Sequence, residues 1–424
     1  MLKEFRFENF KSIKKEQVFT MEACPASVVS EFPEHIIEIG GERLLKVSSM
    51  YGPNGGGKSN LLKALNVFAM VTMGKSLPND SIKNENYFPN VFEKNKNTKF
   101  TMFFVTNKHE VGYSIEVDFN KIGQTINMGL ANETLYFVNY SIVKEEMVAR
   151  ELGKSDFIDV FTRSGDGSVS SKSIGDIDLI SGNKKLSPNT TFVKYYCSTF
   201  SQSPEPNNGN RIFDLFKEFA SYVVLTRESG IFRYLQKDVD ELKPHLKRAV
   251  KILNSLDLRI SELLFKEVDA GISSLYVRRS TKEGEYTELP IQNESKGTIK
   301  AINIVLGVLV QNDKQVFIAD DFDSFLHPKL IRAIIELFNS NDIKKQLIIN
   351  SHDITNMNNK VFRRDEIWFA YRDEDYSTKY IPLSSIVDYK GNMVRKDAVY
   401  GKQYLEGRYG ADPFIQKGLN WKNA

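Results

Sequence analysis

The chain has 424 residues, 41% of them apolar and 26% charged. This is the balance of a globular protein with room for two or three average domains, or one large α/β domain with insertions. A net charge of +3 supplies no global field for nucleic acid, so any DNA contact has to come from a local patch. The two cysteines, Cys24 and Cys197, stand far apart without metal-ligand spacing, which fits a reducing compartment. Met1-Leu2-Lys3-Glu4-Phe5-Arg6 puts charges where a signal peptide needs apolar residues. The longest apolar run, Ala301 to Val310, is about half of the ~20 residues a membrane span requires. The expectation is a soluble cytoplasmic protein without a membrane partner.

In chain order, Phe5, Phe7 and Phe10 alternate with charged neighbours in "FRFENFKSI" and predict an edge strand. Residues 44–51 predict a second strand running into a glycine-dense loop, after which Leu61, Leu62 and Leu65 recur at helical spacing. Residues 98–145 read as strands, and 163–190, rich in Ser, Gly and Asp, as a loop or hairpin tip. "SPEPNNGN" at 203–210 is the strongest breaker and marks an internal boundary. Residues 211–265 read as helical: Ile212, Leu215, Phe216 and Phe219 share one face, and Leu246, Val250 and Leu253 another, with Pro244 suited to a first helical turn. From 293 onward helix and strand alternate. "KGTIKAINIVLGVLV" is apolar nearly all round, hence a buried helix, and "QVFIAD", "QLIINS" and "EIWFAYRD" are apolar strands. Such alternation implies an α/β fold whose parallel strands are covered on both faces.

Residues 52–59, GPNGGGKS, fit G-x-x-x-x-G-K-[ST] between a strand and a helix. Asn54, Gly55, Gly56 and Gly57 let backbone N–H groups approach phosphate oxygens with few Cβ atoms in the way, and the helix behind them points its positive end at the anion. Lys58 reaches the β- and γ-phosphates, and the Ser59 hydroxyl holds Mg²⁺. A bare glycine-rich turn would need none of this context.

Hydrolysis needs an acid near the magnesium and a group that orients water. In "VFIADDFDSFLHP", Asp320 emerges at the C-terminal end of an apolar strand, where ligands bind in open α/β sheets. Asp320 is the candidate on the magnesium side, and Asp321 the candidate that polarises water. A strand-end acidic turn would look the same if it stood alone. In "LIINSHD", His352 stands just past another apolar strand, placed to sense the γ-phosphate. His327, before Pro328, reads as structural. Ser295 and Gly297 precede the buried helix, so a hydroxyl and backbone N–H groups point outward from its start. Small-residue helix starts are common, and this motif gains meaning only from its order after the phosphate loop and before Asp-Asp and His.

That order resembles the ABC-type ATPases, in detail the RecF/SMC/OLD-like branch, and most closely the AAA-family ATPases of bacterial abortive-infection (anti-phage) modules. The stretches that carry it are "FRFENFKSI", "YGPNGGGKSNLLKAL", "ESKGT", "DDFDSFLHPKL", "SHD", "RRDEIWF" and "YLEGRYGADPFI", over about 1–70 and 290–415. The resemblance implies an ABC-ATPase-like P-loop fold with a mixed sheet flanked by helices, and a β-rich segment and a helical insertion between P-loop and signature. It divides the chain into an N-terminal ATPase lobe (1–200), a helical insertion (201–290) and a C-terminal lobe (291–424). It implies ATP and Mg²⁺ as cofactors, with Ser295, Lys296 and Gly297 as a signature loop acting in trans, so that two ATPs are sandwiched in a head-to-tail homodimer or higher oligomer. Asp323 and Ser324 would link the two sites. Asn9, Phe10 and Lys11 would border the base and phosphates, and Asn60 would belong to the same binding set. Nothing in 98–140 marks the family's glutamine-loop residue. The family has Asp-Glu where this chain has Asp320-Asp321, and the shorter side chain implies slow turnover.

Three functions compete. No second active site, such as a nucleophile beside a base, stands outside the ATP motifs, which points to an ATP-dependent switch acting on a separately encoded effector, a nuclease or toxin. A RecF-like DNA-repair ATPase needs a basic surface, for which "KPHLKRAVK" at 243–251 and Arg278-Arg279 are the candidates. A transporter subunit carries a shorter insert than the one between Ser59 and Ser295.

Overall fold

The computed structural model describes residues 1–72, 89–105, 110–118, 129–138, 157–163, 169–171, 191, 223–225, 234–309, 316–387 and 391–411. The breaker at 203–210, the helical face at 212–219 and Cys197 lie outside them. In chain order the elements are β1 (Leu2–Glu8), β2 (Gln17–Thr20), β3 (Ile36–Ile39), β4 (Glu42–Leu45), β5 (Val47–Tyr51), α1 (Lys58–Thr72), β6 (Thr98–Val105), β7 (Glu110–Asp118), β8 (Gly129–Val138), β9 (Phe157–Arg163), β10 (Val169–Ser171), β11 (Val223–Leu225), β12 (Tyr234–Leu235), α2 (Gln236–Leu242), α3 (Leu246–Ser255), β13 (Glu262–Asp269), β14 (Ile272–Ser280), β15 (Tyr286–Pro290), α4 (Lys296–Leu309), β16 (Val316–Ala319), α5 (Pro328–Asn339), β17 (Gln346–Asn350), β18 (Ile367–Arg372), β19 (Thr378–Pro382) and α6 (Tyr400–Leu405).

A six-stranded mixed sheet in the order β11-β16-β17-β5-β18-β19 organises the molecule. Its first five strands are parallel, and β19 closes the edge antiparallel to β18. Strand residues alternate between two cores, as a two-faced sheet requires. Val316, Ile318, Ile348 and Met50 join α1 and the antiparallel sheet β10-β9-β8-β7-β6-β1-β2, while Phe317, Ala319, Leu347 and Ile349 join residues of α4, α5 and α6. The fold is therefore α/β with a mixed sheet flanked by helices.

Helix α4 is buried nearly all round because it serves two cores: Ile304 and Val308 pack toward the mixed sheet, and Ala301, Ile302 and Val305 pack against α3, β13 and β14.

Several elements differ from expectation. β1 lies between β2 and β6 and is not an edge. One covered face produces alternation at any position in a sheet. The strand expected over 44–51 breaks at Lys46 into β4, which pairs with β3, and β5. The helical reading of 211–265 holds for α2 and α3, with Pro244 in a 3₁₀ turn ahead of α3, but Val223–Leu225 is a parallel strand of the main sheet. Residues 262–290 of the expected helical insertion are an antiparallel sheet, β13-β14-β15. There the charges of Lys266, Arg278, Glu262 and Glu288 alternate onto one face and pair across strands. No helix of the described residues is long and apolar enough to cross a membrane.

Candidate nucleotide site

The site lies at the C-terminal ends of neighbouring parallel strands, where strand order places β17 between β5 and β16. β5 delivers the 52–59 loop, β16 delivers Asp320 and Asp321, and β17 delivers Asn350, Ser351 and His352.

The loop's glycines answer to sterics on two sides. Gly55 and Gly57 have φ of 75° and 103°, in the left-handed region that favours glycine. A Cβ on Gly52 would lie 2.1 Å from the Ala370 carbonyl oxygen, and one on Gly57 would lie 2.3 Å from Thr378 Oγ1. The loop must therefore be bare toward the β18–β19 hairpin as well as toward a phosphate. Lys58 is buried and its Nζ donates to the carbonyls of Gly52 (2.9 Å) and Pro53 (3.0 Å). Burial holds its ammonium below the usual lysine range, against the pull of Asp321, Asp320 and Asp323.

Ser59 Oγ donates to Asp320 Oδ1 at 2.8 Å, across 261 residues of sequence. These are hard oxygen donors, the kind that hold Mg²⁺ beside substrate phosphates, so the pair fits that ion. Asn350, fully buried, joins them: its Nδ2 donates to Asp320 Oδ1 and to Ser59 Oγ (3.3 Å), and its Oδ1 accepts from the Asp321 amide. Asp321 is exposed and left-handed, with φ of 45°. His352 is exposed, and its backbone N–H donates to Asp323 Oδ1 at 3.2 Å. His327 caps α5, its Nδ1 accepting from the Lys329 amide at 3.2 Å.

Ser295 caps α4 by accepting from the Thr298 amide at 3.1 Å. Lys296 lies over the exposed Phe325 ring, 4.7 Å from its centroid, and a Cβ on Gly297 would meet the Phe325 carbonyl oxygen at 2.4 Å. The start of α4 and the 321–326 loop are thus packed together within the chain.

Three further residues of the expected binding set have side chains engaged within the chain. Asn9 is buried, its Nδ2 donating to the carbonyls of Glu93 (3.1 Å) and Lys96 (2.7 Å). Phe10 is buried against Phe100. The Asn60 side chain donates to Ser12 Oγ at 2.7 Å. Lys11 remains half-buried at the same corner, its ammonium pushed down to about 8 by burial and by neighbouring Lys63.

Asn350 escaped the sequence reading because a polar residue closing an apolar strand matches no motif. Its role follows from β17 lying between the other two strands. Arg278 pairs with Glu262 and Glu288, and Arg279 with Glu294, so these two candidates for a basic surface stand instead as ion-paired residues of the β14–β15 hairpin. Lys243, Lys247, Arg248 and Lys251 do line the exposed side of α3 and the turn before it.

Comparison with known proteins matches the chain, over residues 47–137 and 199–357, to the family described as "AAA domain, putative AbiEii toxin, Type IV TA system". No curated protein matches it. Among solved structures it is similar to the "SMC head domain from Thermotoga maritima", with 13% identity, TM-score 0.39, and coverage of 90% of this chain and 98% of that one. It is also similar to the "SmcHead bound to the C-winged helix domain of ScpA", with 14% identity, TM-score 0.44, and coverage of 91% of this chain and 98% of that one. The loop, strand order and acidic strand end define a P-loop α/β protein. The chain belongs to this AAA-domain family, whose match spans more than half of its length.

Proposed function

We propose that this chain is an ATPase that binds ATP with Mg²⁺ on the 52–59 loop, and that ATP-dependent head-to-tail dimerisation switches a separately encoded effector, a nuclease or toxin, in anti-phage defence. The observation that carries the nucleotide reading is the 2.8 Å contact of Ser59 with Asp320, which brings the hydroxyl after the loop lysine to the acid at the neighbouring strand end. Magnesium held there would offset charge on the phosphate oxygens.

The chain's own residues supply the rest. Lys58 leaves the Gly52 and Pro53 carbonyls for the β- and γ-phosphates. Asp321 polarises the attacking water, with His352 beside the γ-phosphate. Ser295, Lys296 and Gly297 of a second copy close the site, an arrangement consistent with the exposure of Ser295 and Lys296. The toxin–antitoxin wording of the family description supports the defence setting. The RecF-like alternative loses Arg278 and Arg279 to ion pairs and keeps only the α3 face.

Lys58→Ala tests the site. It is expected to abolish ATP hydrolysis and ATP-driven self-association by gel filtration with light scattering. Turnover like that of the wild type would refute the assignment.

A further inference from the structure

Three successive carbonyl groups of the phosphate loop each accept a hydrogen bond from one β-hairpin. Arg372 Nε donates to Gly55 O at 2.8 Å, Thr378 Oγ1 to Gly56 O at 3.0 Å, and Tyr380 OH to Gly57 O at 2.8 Å. All three donors come from β18 and β19, at the sheet edge beside β5. In a trans peptide the C=O of one residue and the N–H of the next point opposite ways in one plane, and there is no cis bond among the described residues. Fixing the Gly55 carbonyl fixes the Gly56 N–H, which closes a turn onto Pro53 O at 3.0 Å. Fixing the Gly56 and Gly57 carbonyls aims the N–H groups of Gly57 and Lys58 away from the hairpin.

The Thr378 bond is the end of a directed chain. The Thr378 hydroxyl hydrogen goes to Gly56 O, so in the 2.6 Å contact between Ser12 Oγ and Thr378 Oγ1 it is Ser12 that donates, while Ser12 accepts from Asn60 Nδ2 at 2.7 Å. The order Asn60, Ser12, Thr378, Gly56 leaves each hydroxyl one donated and one accepted bond, and such chains strengthen their members. Thr378 and Tyr380 are buried, so an unmade bond there leaves a buried polar group unsatisfied.

We propose that Arg372, Thr378 and Tyr380 are positioning residues which hold the loop's N–H groups in the orientation that receives the nucleotide phosphates. The hairpin is thus the preorganising half of the cradle. This rests on the nucleotide reading above, and the experiment separates the two.

The full chain is titrated with a fluorescent ATP analogue and Mg²⁺, and steady-state hydrolysis is followed alongside. Thr378→Val and Tyr380→Phe keep side-chain volume and remove one donor. Each is expected to weaken binding ~3- to 10-fold, as loss of one buried hydrogen bond of ~1 kcal/mol does. KM rises by a similar factor while kcat at saturation is little changed, and Thr378→Ser restores both. A merely structural role would lower the thermal midpoint of the nucleotide-free chain and leave affinity as it was. Nucleotide affinity like that of the wild type in both variants overturns the proposal. If either variant fails to fold, the other carries the test, and Arg372→Met, at an exposed position, is expected to weaken binding in the same direction. Failure of the unaltered chain to bind, or binding by Lys58→Ala at full strength, would instead overturn the nucleotide reading itself.

Discussion

Asp321 combines two unusual properties: a carboxylate shorter than the glutamate that the resemblance implies there, and a left-handed backbone held by a hydrogen bond from its amide to Asn350. Aspartate and asparagine tolerate that conformation better than longer side chains do, so the short side chain suits the strained turn while leaving the carboxylate about an ångström back from where glutamate would put it. Misplacement of that order costs up to ~100-fold in rate. Asp321→Glu is expected to speed single-turnover hydrolysis and to lower the thermal midpoint by a few degrees. A rate unchanged or slower sinks the argument. At this scale the meeting of Ser59 with Asp320 was legible, because one follows a loop lysine and the other closes an apolar strand, and parallel strands bring such ends together. Asn350 was not, because what makes it matter is which strands flank β17. The packing of Asn9 was hidden for a related cause: its neighbours are the carbonyls of a segment more than eighty residues away.

Among the elements, the loop and the hairpin are best understood as one unit. The glycine spacing was legible as room for phosphate, but part of it is room for Ala370 and Thr378. Two substitutions distinguish these demands. Gly57→Ala sets a Cβ 2.3 Å from Thr378 Oγ1 at φ of 103°. It is expected to abolish nucleotide binding and to lower the thermal midpoint. Gly55→Ala, with nothing within 4 Å and φ of 75°, is expected to cost only the ~1–2 kcal/mol of a left-handed alanine. Equal losses in a denaturant titration would refute the distinction. The parallel sheet and α4 were legible because two-sided burial demands continuous apolar runs. The β13–β15 sheet was not, since Leu263 and its neighbours extend the helical spacing of α3 and the cross-strand ion pairs that define the sheet are not visible in one dimension.

For the whole molecule, the chain's two ends are interlocked. Arg363, 1% exposed, pairs with Asp365 at 2.8 Å and reaches the carbonyl of Val29, and His35 Nδ1 lies 3.0 Å from Glu366. Burial pushes the Glu366 carboxyl above the usual range against the attraction of His35. The stretch "RRDEIWF" at 363–369 is therefore a structural staple. The head-to-tail dimer is tested by mixing two inactive variants. Lys58→Ala breaks the loop, and Lys296→Glu places at the α4 start a negative charge that its helix dipole tolerates but a neighbour's phosphate does not. A hybrid dimer keeps one intact composite site, the Lys58 loop of one copy facing the α4 start of the other, so the mixture is expected to regain activity that neither variant has alone. A mixture as dead as its parts would refute the trans arrangement.

The contact of Gly297 with the Phe325 carbonyl, reinforced by Lys300 donating to Asp321 O at 2.9 Å, leaves no slack between the turn that carries Asp321 and the exposed start of α4. In the proposed head-to-tail dimer, a shift at one subunit's spent phosphate would therefore also shift what that subunit presents next door. Such a pair would part in a single event, loosening both seams together, and anything reading its state would receive an on-or-off signal with no half-open intermediate.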